Sequence, residues 1–109
     1  MKTLINCTPH KINLINTDGS VTTLETSGII ARVASNSEKI GDLLGFPLNK
    51  TSFGEIQDLP APEKDTIFIV SSLIRGQSSR KDLVSPDTSP NSVIRNDKGH
   101  VIGVRGFQV

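Results

Sequence analysis

The sequence predicts an α+β fold: one small, β-dominated domain over residues 1–109, made of short antiparallel strands and hairpins with about one short helix near residues 71–76. Three observations lead there. Apolar residues fall into brief clusters that alternate with a period of two, the signature of half-buried strands. Turn formers such as Asp18-Gly19, Ser27-Gly28 and Asp97 to Gly99 punctuate those clusters. One stretch, "SSLIRGQ", places serine and glycine where a short helix needs its two caps.

Taken in order, "TLINC" and "KINLI" alternate at Leu4 and at Ile12 and Leu14, and they flank Thr8-Pro9-His10, which reads as a tight turn between two strands. Asp18-Gly19 in "INTDGSVTTLE" is a hairpin signal between alternating runs. After Ser27-Gly28, "IIARVAS" is a further β-branched run. "EKIGDLLGFPLNKTSF" reads as another hairpin turning near Gly45, and Pro47 puts it at an edge. Residues 54–65, "GEIQDLPAPEKD", form an acidic, turn-rich connector. "TIFIV" at 66–70 is the most apolar run and the natural central strand. The helix starts directly from it, with Ser71 or Ser72 as N-cap and Gly76 at its end. "SSRKDLVSPDTSP" at 78–90 is so polar that it reads as a loop, stiffened by Pro86 and Pro90. "SVIR-NDKG-HVIGVRGF" closes the chain as a hairpin.

Composition narrows the function. A formal net charge of +1 gives no global attraction to nucleic acid polymers or anionic membranes. The absence of Trp and Tyr leaves four phenylalanines as the only stacking platforms for single strands. One cysteine, Cys7, excludes an internal disulfide and fits a reducing compartment, and no long apolar run or signal-peptide core is present. The expectation is therefore a cytoplasmic protein with neither membrane nor nucleic-acid polymer as partner. Charge is uneven along the chain: Glu55, Asp58, Glu63 and Asp65 face only Lys64 in residues 51–70, whereas four of the five arginines lie beyond residue 70.

Those arginines define the candidate site. Arg75, Arg80, Arg95 and Arg105 are suited to bidentate capture of phosphate. Ser71 and Ser72 at a helix start add hydroxyls and free N–H groups, and Arg75 follows one turn later. Asp82, Asp87 and Thr88 belong to the polar loop that would orient a ligand, although Arg80 and Asp82 are also placed to pair with each other and merely stiffen it. His10 caps backbone or lines a pocket, and Phe53, beside Gly54, either packs in the core or stacks on a base. Cys7 and His10 have too few companion ligands for zinc, so no metal and no cofactor is expected. No G-x-S-x-G, Walker-type or G-x-G-x-x-G motif occurs, so His10 and His100 are the only bases an enzymatic reading has to offer.

In their order along the chain, "INCTPHKINLI", "SGIIARV", "FGEIQDLPAP", "TIFIVSSLI", "RKDLVSPDT" and "SVIRNDKGHVIGVRGF" resemble a group of small proteins from bacteriophages and bacterial genomes. The resemblance spans essentially the whole chain but rests on no single diagnostic motif. It implies an anti-defence role: a homo-oligomeric sponge in the host cytoplasm that holds a cyclic oligonucleotide or ADP-ribose-derived signal without cleaving it. A nucleotide phosphodiesterase or lyase, and a protein-interaction module or minor virion component, are the competing expectations. On the sponge reading, Arg80→Ala and Arg105→Ala weaken binding and leave the melting temperature nearly unchanged.

Overall fold

The computed structural model describes residues 3–109. The chain is β-dominated with, among the described residues, a single short helix, as the sequence predicts. In order it runs β1 (Thr3–Asn6), β2 (Ile12–Ile15), β3 (Val21–Leu24), β4 (Arg32–Leu43), β5 (Phe46–Gln57), β6 (Thr66–Ile69), α1 (Ser72–Gly76), β7 (Leu83–Pro86), β8 (Val93–Arg95), β9 (Val101–Val104) and β10 (Phe107–Gln108).

β6 is the hub. Its four residues and Val70 just beyond it are apolar except Thr66, and Phe68, Ile69 and Val70 are fully buried. Alternation sends Phe68 and Val70 to one face and Ile69 to the other. The first face packs with Cys7, Ala31, Ile74 and Leu83, joined by Val33 and Ile56. The second packs with Ile12 and Val104. A sheet ordered β1-β6-β7-β10 therefore lies against a second sheet ordered β3-β2-β9-β8, and α1 covers the first sheet's far side. β4 and β5 form a separate two-stranded ribbon rooted in the first core.

Three details correct the sequence reading. β1–β6, β6–β7 and β2–β9 are parallel pairs, where antiparallel hairpins were expected throughout. Local turn signals find hairpins, and the antiparallel β2–β3, β4–β5 and β8–β9 pairs are all found that way. Parallel pairs join strands distant in sequence and leave no local mark. Thr8-Pro9-His10 does turn the chain between β1 and β2, but these strands belong to different sheets, so the turn makes a crossover and not a hairpin. Buried Asn6 holds this crossover: its Nδ2 donates to the carbonyls of His10 (2.9 Å) and Leu24 (3.2 Å), and its Oδ1 accepts from Thr8 N (3.0 Å) and Oγ1 (2.6 Å). Finally, the acidic connector begins only after Gln57, since β5 extends through "GEIQ".

Candidate functional site

α1 begins where Ser71 caps it: the backbone there is extended, and Ser71 Oγ accepts from Ile74 N at 3.3 Å. The oxygen is thereby engaged as an acceptor, while the hydroxyl proton stays free to donate, as at Ser78, whose Oγ accepts from Arg80 N at 3.1 Å. With five residues, the helix adds little dipole to favour an anion at its start. Ser72 is exposed on its first turn. Arg75, in the last turn, reaches across to the first sheet, where its Nε donates to Oγ of fully buried Ser85 at 2.9 Å. Its terminal nitrogens make no hydrogen bond among the described residues.

The segment read as a loop at 78–90 contains β7, and this is the main correction around the site. Leu83 and Ser85 are buried and β7 runs parallel to β6, with Phe68 N donating to Asp82 O and Val70 N to Val84 O, both at 2.9 Å. "LVSP" alternates too briefly among polar neighbours for its burial to stand out. Just before β7, Arg80 and Asp82 do pair. Nε donates to Asp82 Oδ1 at 2.9 Å, and Nη2 to Oδ2 at 2.6 Å. Nη1 donates to Pro60 O at 2.8 Å, and the guanidinium sits 5.6 Å from the centre of the Phe68 ring. Arg80 thus staples the acidic connector to the start of β7. The paired carboxylate raises the Arg80 pKa, and the guanidinium holds Asp82 below the usual carboxylate range.

Between α1 and this staple lies a hollow of about 330 Å³, lined by Arg75, Ser78, Arg80, Lys81, Leu83 and Val109. Three of its six lining side chains are cationic and none is acidic. Arg80 is neutralised by Asp82, so among the lining side chains Arg75 and Lys81 carry the remaining positive charge. Ser78 and Leu83 give it a hydroxyl and an apolar wall. At the low end of small-ligand pocket volumes, the hollow suits a phosphate or a sugar phosphate rather than a deep base pocket.

Arg95 and Arg105 belong elsewhere. Arg95 Nη1 donates to Gly99 O at 2.7 Å within the β8–β9 turn, and Arg105 Nη1 to Asn91 O at 3.2 Å. Both are exposed, Arg95 at the turn end of the β8–β9 hairpin and Arg105 beyond its other end beside Ser92, so neither joins Arg75 and Arg80. Asp87 Oδ1 accepts from Ser89 N at 3.0 Å, the local side-chain to backbone bond its sequence context suggested, and that bond lowers its pKa. Thr88 lines a different hollow of about 260 Å³ with Lys11, Ile12 and Pro86. His10 and His100 are exposed, and neither lines either of these two hollows. His10 engages neighbours through its carbonyl. Phe53 lies on β5 opposite Ser35.

Ser78, Lys81, Leu83 and Val109 complete the hollow but were not singled out from sequence. Lys81 adjoins Arg80 and was legible as a charge. Val109 arrives only because β10 pairs with β7, which no local signal announces. Among the described residues no cluster of His, Cys, Asp and Glu is arranged to hold a metal ion, and no helix is long and apolar enough to cross a membrane. Comparison with protein-family models, curated proteins and solved structures gives no match.

Proposed function

We propose that this chain binds a small anionic, nucleotide-like molecule in the Arg75–Lys81 hollow and holds it intact. The observation carrying the reading is the charge geometry: Arg75 is oriented by a buried serine, its terminal nitrogens are unengaged, and Lys81 stands on the same rim with no acidic side chain in the lining. A phosphate or pyrophosphate meets two cations there, one already aimed, which lowers the ordering cost of binding. Ser78 and the backbone around it suit ribose hydroxyls. The lining offers charge and hydroxyl contacts but no imidazole, which favours sequestration over hydrolysis.

The resemblance to phage proteins narrows the ligand class to cyclic oligonucleotides and ADP-ribose derivatives, and the role to an anti-defence sponge in the host cytoplasm, acting as a homo-oligomer. A thermal-shift screen over cyclic dinucleotides, cyclic trinucleotides and ADP-ribose derivatives tests this, with the bound compound recovered after denaturation and chromatographed. A stabilising compound returned intact supports the sponge. A converted compound makes the chain a phosphodiesterase or lyase and sends attention to His10 and His100. No shift with any of them contradicts the reading and leaves a protein-interaction role.

A further inference from the structure

β4 and β5 run 12 residues each and, among the described residues, pair only with each other. At about 3.4 Å per residue they form an arm roughly 40 Å long. Val33 and Ile56 root it in the first core, and beyond them nearly every residue is exposed. A lone two-stranded ribbon is marginal in water, yet this one carries its apolar residues outward. The register sets Leu43 opposite Phe46 and Gly41 opposite Leu48, so Leu43, Phe46 and Leu48 share one face. Leu44 is 91% exposed and Phe46 72%. Leu44 also sits at φ 51° ahead of Gly45 at φ 85°, a two-residue turn whose first position ordinarily favours Asn or Asp. Solvent and backbone preference both oppose leucine at that tip.

We propose that this face of the arm tip, Leu43, Leu44, Phe46 and Leu48, is the contact through which two copies of the chain associate about a two-fold axis, arm face on arm face. The edges are poorly suited to the task, because Pro47 lacks a donor and bulges interrupt the ladder near Ala34 and Ile40. The charges favour a second copy. Arg32, Lys39 and Lys50 balance Glu38, Asp42 and Glu55 along the arm, and Glu38 lies opposite Lys50 on the contact face. A neutral, mixed-sign surface meets its own copy without net repulsion, whereas an anionic bilayer is met by lysine and arginine in excess. A face about 40 Å by 10 Å covers roughly 400 Å² per copy, half the ~800 Å² per partner of a standard interface, so the association is weak and concentration-dependent. This contact locates the oligomer of the proposed reading, but it stands on the arm's geometry and not on the ligand.

Light scattering on the full chain as it elutes from a sizing column, over a range of concentrations, is the test. The expected mass is twice 11.7 kDa. The double variant Leu44→Asn, Phe46→Ser falls to a single chain with an unchanged circular dichroism spectrum, since both side chains are exposed. Thr51→Glu, on the opposite face, keeps the doubled mass. A wild-type chain that is monomeric at every concentration overturns the proposal, and flotation of that monomer with phosphatidylserine vesicles assigns the tip to a lipid surface instead. A doubled mass retained by the tip variant, or lost equally in Thr51→Glu, overturns it as well. ADP-ribose binding, measured on the same samples, can survive or fail separately.

Discussion

Arg80 shows how one side chain changes meaning between sequence and structure. As a cation in a polar stretch it reads as a phosphate ligand, but its donors go to Asp82 and Pro60 and its plane to Phe68. Arg80→Ala is therefore expected to destabilise the fold by about 1.5–3 kcal/mol, the scale of hydrogen bonds to charged groups, where an unchanged melting temperature was the sequence-based expectation. Urea titration measures it. Lys81→Ala is the complementary case: the residue is exposed and makes no side-chain hydrogen bond or ion pair among the described residues, so stability should hold while affinity for a phosphorylated ligand falls about 2–5-fold, an exposed charge being worth up to ~1 kcal/mol. The Arg80–Asp82 pair also sets a pH dependence. The carboxyl of Asp82 has a lower pKa folded than unfolded, so the unfolded chain binds more protons in acid. The pair's contribution is complete above the ordinary carboxylate pKa of about 3.9 and is lost as pH falls below it. Asp82→Asn should flatten the acid limb of a stability-against-pH curve, and an unaltered limb would show that the pair contributes nothing there.

At the level of elements, the strongest local patterns were legible. β6 was visible as the apolar run "TIFIV", and α1 was bounded by Ser71 and Gly76, one residue from its C-cap Gln77. β7 was not, because its four residues alternate Leu83 and Ser85 on one face with Val84 and Pro86 on the other, and one buried position is a serine. A buried strand position need not be apolar when its polar side chain has a partner, here Arg75. Gly103 gives an element-scale test of sheet packing. A Cβ there would lie 3.0 Å from Ile15 Cδ1 and 3.1 Å from the Asn13 carbonyl, and the carbonyl is not free to move aside. Gly103→Ala should cost about 1–3 kcal/mol by overpacking the β2–β9 contact. Chemical denaturation showing no loss would mean the two strands are less tightly joined than their register implies.

Across the whole molecule, class and hairpins were readable while assembly was not. The parallel pairs, the division into two facing sheets and the separation of Arg95 and Arg105 from Arg75 and Arg80 depend on contacts between distant segments. The arm explains the overall shape: the radius of gyration is 16.9 Å, against about 13 Å for a compact chain near this length. Hairpin and Pro47 were seen in the sequence, but the 12-residue length was hidden by polar residues that a solvent-exposed ribbon tolerates on both faces. The candidate site follows the same logic, being an assembly of α1, the approach to β7 and the chain's last residue. Its location is the central claim, and backbone amide chemical-shift mapping by NMR during titration with ADP-ribose tests it most directly. The account predicts that the largest shifts cluster at Arg75, Ser78, Arg80, Lys81, Leu83 and Val109. Shifts centred on Arg95 and Arg105, or none at all, would contradict it.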